Sequence, residues 1–263
     1  MHKTNNQDLL RAFRLADAAD AITKKHYLSA RLQVTTKPDK TPVTEADLAV
    51  ERTLSTIVHE EFGDKYVGEE NVRDARQGRH WVVDPIDGTK NFLRGMPIWA
   101  TLIGLRDGDT TIANVVSAPA LGRRWWATKG EGAWTQDIDG TIRRLHVSKV
   151  ANITDAFLMY SSIYSWDTVP TGSQAVLDLC KQAWRHRAVG DFFGHVLVAE
   201  GAADACLEPN LRLWDMVGLE LIVTEAGGAV WTNIKDGDPA AARIVVSSNA
   251  VLENPILAAL KCI

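Results

Sequence analysis

Apolar side chains at Leu9, Phe13, Ala16, Ala19 and Ile22 recur at close to helical spacing and predict a helix over residues 8–28. Residues 35–42 are polar, contain proline and read as a loop. Thr44-Glu45-Ala46-Asp47 has the form of a capping box with Asp in the acidic place, and it opens a second helix. Val50, Leu54, Ile57 and Val58 give that helix its buried face, and Gly63 ends it. Short β-type runs follow. Tyr66-Val67 leads into Gly68-Glu69-Glu70, and Trp81-Val82-Val83 leads into Asp84. Residues 98–105 and 110–116 flank Asp107-Gly108, a hairpin signal. Residues 124–128 and Ala133-Trp134 flank a turn at Gly130 and Gly132. The first half therefore predicts helices packed on a largely antiparallel sheet.

From about residue 146 strands and helices alternate. Strands are expected at 157–160, Ala188-Val189, 205–208, 229–232 and 244–246. Helices are expected at 172–184, 193–200, 214–226 and 252–260. The fold class is α+β in the first half and α/β with a mixed sheet in the second. The expected subdomains are residues 1–145 and 146–263, with no flexible linker, repeat or low-complexity segment.

Composition narrows the choice of partner. The 263 residues carry a net charge of -4 and contain no long Lys/Arg run, which argues against nucleic acid or an anionic membrane. An acidic protein that binds a phosphate ester needs something to offset charge, and a divalent metal does so. Cys180, Cys206 and Cys262 fit no zinc spacing and read as reduced thiols, two of them in the core. Met1-His2-Lys3-Thr4-Asn5-Asn6 has no apolar signal core, and no segment approaches a membrane span, so a cytoplasmic protein is expected.

The chemistry sits in the acids. Gly68-Glu69-Glu70 and Asp84-Pro85-Ile86-Asp87-Gly88-Thr89 each follow a β-run, and Asp215 follows Trp214 at a helix start. Any one of these acids alone reads as a cap or a solvated loop residue. Together they have the oxygen chemistry of a Mg2+ site. Two such ions about 3.5–4 Å apart activate water and stabilise a leaving oxygen. Pro85 stiffens the turn, Ile86 offers only its backbone carbonyl, and Asp87 reaches back with a carboxylate. Gly88-Thr89 starts a helical turn whose N–H groups suit phosphate, and the Thr89 hydroxyl can hold a water nucleophile.

These three ordered motifs, with Glu225-Ala226-Gly227-Gly228 downstream, resemble the inositol monophosphatase family over nearly the whole chain. The resemblance implies a layered α-β-α-β-α sandwich, commonly dimeric and sensitive to lithium in varying degree. It implies two or three Mg2+ ions per active site. Glu69, Asp84 and the Ile86 carbonyl would hold the first metal, and Asp84, Asp87 and Asp215 the second. Glu69 and Thr89 would orient and activate water, Asp47 would support Thr89, and the Gly88 and Thr89 amides would face phosphate.

The substrate of such a centre is a small phosphorylated metabolite, and the metal ligands do not select among the family's esters. Three stretches look like the bacterial histidinol-phosphate phosphatase branch: residues 37–47, residues 91–103, and Gly190-Asp191-Phe192-Phe193-Gly194-His195, where His195 replaces an expected Tyr. L-histidinol phosphate carries a cationic amine, and Asp191 and Glu208, with Asp87, are the candidate substrate-binding carboxylates. Asp191 also reads as a helix cap, and inositol phosphatases use a Glu at the position of Glu208. Inositol 1-phosphate or a broad set of monoesters stays open, as does a non-enzymatic metal-dependent scaffold. The intact Glu69/Thr89 pair speaks against the scaffold. Of the remaining residues, His26, His59, His80 and His186 read as surface or packing residues, and His195 as a satisfied helix residue. Trp125, Trp126, Trp134 and Trp166 read as core or interface. Arg123-Arg124 and Arg143-Arg144 read as solvated charge pairs, and Ser161-Ser162 has no arrangement for nucleophilic catalysis.

Overall fold

The computed structural model describes residues 6–36, 41–69, 78–233 and 243–262. They fall into two compact units. The first comprises Met1–Lys129 with Trp134–Arg143, and the second Gly130–Ala133 with Arg144–Ile263. Residues 1–5 of the N-terminal segment, Lys37 to Lys40 of the first branch-like stretch, and Glu70 lie outside the described residues.

In the first unit, helix α1 (Gln7–His26) is capped by the Asn6 side chain, which accepts from the Asp8 and Leu9 amides. Strands β1 (Val34–Thr36) and β2 (Pro42–Thr44) form an antiparallel pair where a loop was expected. All three β1 residues are exposed, so no alternation of polarity announces the strand. Helix α2 (Glu45–Ile57) begins at the predicted capping box and continues as a π-helical turn to Phe62, ended by Gly63 at φ 70°.

Next come β3 (Lys65–Gly68), β4 (Arg79–Asp87), the short helix α3 (Thr89–Leu93), β5 (Ala100–Asp107), β6 (Thr110–Ala118), β7 (Arg123–Thr128), β8 (Gly132–Gln136) and β9 (Ile142–Arg144). The seven strands form one sheet in chain order. β3 and β4 run parallel, and the pairs from β4 to β7 are antiparallel. Helices α1 and α2 cover it through Leu15, Ala19, Val50 and Leu54, which pack with Trp81, Ile103, Val115 and Trp126.

Trp125 and Trp126 are core residues, and Trp134 is packed against the same cluster. The arginine pairs are not simply solvated. Arg124 bridges Asp17 and Asp20, while Arg123 and Arg143 share Asp137. Acids from α1 and the β8–β9 turn meet them, which spacing along the chain does not reveal.

The second unit contains β10 (Phe157–Tyr160), α4 (Gly172–Gln182), β11 (Arg185–Arg187), α5 (Asp191–Ala199), β12 (Ala205–Leu211), α6 (Leu213–Met216), α7 (Leu219–Glu225), β13 (Ala229–Thr232), β14 (Arg243–Ser248) and α8 (Glu253–Ala259). Its five-stranded mixed sheet has the order β11-β10-β12-β14-β13. Leu158, Leu207 and Val246 lie in one core with Trp166, Val176, Leu179 and Ile256.

Two expectations change here. The strand expected at Ala188-Val189 is β11 at Arg185–Arg187, a fully exposed edge strand paired to β10. The single helix expected over 214–226 is two, α6 and α7, with Gly218 at the break. Among the described residues no helix is long and apolar enough to cross a membrane.

Candidate active site

In the first unit the site grows from the end of β4. Asp84 pairs with Leu102, but the next registered pair is Asp87 with Ala100. Pro85 has no N–H, so the ladder breaks at this point. The Pro85 carbonyl is taken by the Thr101 hydroxyl at 2.8 Å, and the Ile86 amide donates to Asp84 Oδ1 at 3.0 Å. Both acids thus belong to the irregular end of a buried strand rather than to the loop expected after it. Asp84 is 2% exposed and Asp87 8%. The Ile86 side chain anchors the turn in a cluster with Ala46, Phe92 and Trp99. Gly88 takes φ 80° and ψ 37°, a left-handed conformation that turns the chain into α3. The Thr89 hydroxyl donates to the Ile86 carbonyl at 2.9 Å.

Glu69 reaches the same sheet end through register. Gly68 pairs with Val83 in parallel, so Glu69, the residue after β3, emerges beside Asp84 of β4. Gly68 leaves room there for the Glu51 carboxylate, which a Cβ would meet at 2.6 Å. Asp47, 1% exposed, accepts from the Thr44 amide at 2.8 Å and the Thr44 hydroxyl at 2.6 Å. Burial pushes its carboxyl up to about 6, the Thr44 hydrogen bonds oppose the shift, and the charge of Glu69 adds to it. Asp47 is thus bonded to its capping partner and Thr89 to Ile86, with no direct bond between the two.

Carboxylate oxygens of Asp84 and Asp87 lie within 4.8 Å of each other. Two buried carboxylates this close repel, and a hard cation with oxygen ligands relieves the repulsion. The donor set is all oxygen, so it fits a Mg2+-type ion.

In the second unit, Asp215 is the third residue of α6, and its Oδ2 accepts from the Arg212 amide at 2.6 Å. Trp214 beside it is buried. Glu208, on β12, is 2% exposed. Its Oε1 accepts from the Asp191 amide at 3.1 Å, so the structure brings these two predicted substrate residues together. Burial pushes the Glu208 carboxyl well up, a hydrogen bond from Ser161 opposes this, and the charges of Asp191 and Asp215 add to the rise. Asp191 opens α5 at φ 55°, a strained conformation for a non-glycine residue. Glu225 accepts from the Gly130 and Gly132 amides at 2.7 and 2.8 Å, which explains the acid before Gly227-Gly228. Sequence reasoning missed Ser161 and Glu51. Along the chain Ser161 reads only as a nucleophile candidate without partners, and nothing in its neighbourhood points to Glu208.

Sheets flanked by helices, with a buried carboxylate pair at an interrupted strand end, fit the class of metal-dependent phosphomonoesterases. The chain belongs to the inositol monophosphatase family, whose model matches residues 5–263. It is 47% identical to a histidinol-phosphatase of Streptomyces coelicolor over 237 residues, 88% of each chain. It is 42% identical to a histidinol-phosphatase of Mycobacterium tuberculosis, covering 96% of this chain and 97% of that one. An inositol monophosphatase structure from Zymomonas mobilis superposes with a TM-score of 0.80 at 26% identity, covering 97% of each chain.

Proposed function

We propose that the protein hydrolyses L-histidinol phosphate to L-histidinol and phosphate, a step of histidine biosynthesis, with Mg2+ as the metal. The carrying observation is likeness above 40% over most of the chain to two histidinol-phosphatases. The closeness of Asp191 to Glu208 supports it, because the Asp191 charge acts on the Glu208 carboxyl and acidic groups gathered in this way suit a cationic amine. Glu69, Asp84, the Ile86 carbonyl, Asp87 and Asp215 would hold two or three Mg2+ ions. When bound, the metal lowers the pKa of water and neutralises charge on the phosphoryl oxygens. The residues do the rest. Glu69 and Thr89 orient the attacking water. Asp47, fixed by Thr44, positions the start of α2 beside them. The Gly88 and Thr89 amides receive phosphate oxygens, and Asp87, Asp191 and Glu208 bind the amino alcohol. In this reading residues 1–145 carry most metal ligands, residues 146–263 carry the substrate-selective ones, and the working protein is a cytoplasmic homodimer.

The test is phosphate release by purified protein in Mg2+, with L-histidinol phosphate turned over far faster than inositol 1-phosphate. The reverse ranking would exclude the assignment and favour the inositol phosphate or broad-specificity reading, for which the Glu at 208 is the motive. Asp191→Asn separates the two, since it should slow the cationic substrate much more than the neutral polyol. Glu69→Gln should lower kcat by about 10²–10⁴-fold. Unchanged turnover would remove Glu69 from catalysis.

A further inference from the structure

A second set of ligating side chains meets in the core of the second unit. Cys206 and Glu208 are two residues apart on β12 and face the same side of the sheet. His195 of α5 comes to that side. A ring nitrogen of His195, the Cys206 Sγ and a Glu208 carboxylate oxygen lie within 4.8 Å of one another, and all three residues are buried. Gly194 permits the approach, because a Cβ there would overlap the Cys206 sulfur.

The imidazole is oriented but only half satisfied. Its Nδ1 sits 2.7 Å from the Ser247 hydroxyl, and Ser247 is the cross-strand partner of Cys206. Its Nε2 is buried and has no hydrogen-bond partner among the described residues. With Nδ1–H donating to Ser247, Nε2 carries a free lone pair. Metal-binding histidines are held in this way, one nitrogen fixed by a neighbour and the other ligating.

We propose that His195, Cys206 and Glu208 form a second metal site, for a borderline divalent cation of the zinc class. The chemistry of the donors makes the choice. Nitrogen, sulfur and one carboxylate oxygen suit zinc, whereas the all-oxygen set of the first unit suits magnesium. Three protein ligands leave a fourth tetrahedral position for water. Burial pushes the pKa of both the Cys206 thiol and the Glu208 carboxyl up. The ion takes sulfur as thiolate and oxygen as carboxylate, so its entry displaces the Cys206 proton and is favoured as pH rises. One consequence rests on the substrate role given to Glu208 above: an ion held here withdraws that carboxylate from substrate and slows turnover without displacing Mg2+.

The test uses Co2+ as the probe, added to the full chain in excess Mg2+. One equivalent should bind, with a thiolate-to-cobalt charge-transfer band in the near ultraviolet and visible bands of tetrahedral cobalt. The band should persist in the Cys180→Ser/Cys262→Ser protein, where Cys206 is the remaining thiol, and vanish in Cys206→Ser. His195→Gln should weaken Co2+ binding at least about tenfold. Absence of the band from the wild type, its loss in the double variant, or its survival in Cys206→Ser would overturn the proposal. The spectrum reads metal binding alone, so it stands or falls separately from the substrate assignment.

Discussion

His195 provides a direct measure of how dry the core beneath α5 is. Burial pushes its imidazole down to about 4, against about 6.5 for a solvated histidine. The native residue therefore stays neutral while the unfolded chain takes up a proton as pH falls through 6.5. The linked stability is fully present above that value and is lost as pH falls toward 4. A difference of about 2.5 units corresponds to about 3 kcal/mol in all, of which about 2 kcal/mol is lost between pH 7.5 and 5. His195→Gln keeps a hydrogen-bonding group for Ser247 and removes the titration. Glu208, whose carboxyl burial pushes up, is present in both proteins and cancels in the comparison. Urea unfolding in EDTA should show the variant losing about 2 kcal/mol less than the wild type between those two pH values. Parallel pH profiles would refute the reasoning, because they would mean that the imidazole is hydrated or charged in the native state.

Three further outcomes test how the first unit builds its site. Gly68→Ala puts a methyl against the Glu51 carboxylate, and it should cost about 1–3 kcal/mol and lower kcat by displacing Glu69, read by urea unfolding and phosphate release. Trp99→Ala empties a fully buried position among Phe92, Ile86 and Ala46, and it should cost about 3–5 kcal/mol in the same unfolding assay. Arg124→Met strips a cation from the buried Asp20 and should cost about 3 kcal/mol, with Asp20→Asn in the same chain recovering more than half of the loss.

What could be read along the chain was what one element encodes by itself. The α1 stripe, the Thr44 capping box, the Asp107-Gly108 hairpin and the Asp84-Pro85-Ile86-Asp87 turn are local signals, and each has its counterpart in the structure. Elements whose stability comes from a neighbour were displaced or missed. β11 is Arg-His-Arg with every residue exposed, so its strand conformation comes from pairing with β10 rather than from its own pattern. β1 is exposed throughout as well. The helix expected over 214–226 kept its apolar period but breaks at Gly218, which a period alone does not register. The arginine pairs looked solvated because Asp17, Asp20 and Asp137 reach them through the fold.

The polar interior follows a rule that was present in the chain but had no partner there to give it meaning. Burying a carboxylate or thiol costs desolvation unless neighbours come close enough to bond or neutralise it. In three places that closeness depends on a missing side chain. A Cβ on Gly68 would strike the Glu51 carboxylate, one on Gly190 would strike Glu208 and Ser161, and one on Gly194 would strike the Cys206 sulfur. Two of these glycines stand next to an acid assigned to the chemistry, Glu69 after Gly68 and Asp191 after Gly190, and the third precedes His195. None of the three has a left-handed φ, so turn geometry does not explain them. They mark where backbone must lie against a buried polar group. The same pattern therefore links Glu51, Glu208 with Ser161, and Cys206: each lies where a glycine leaves room beside it.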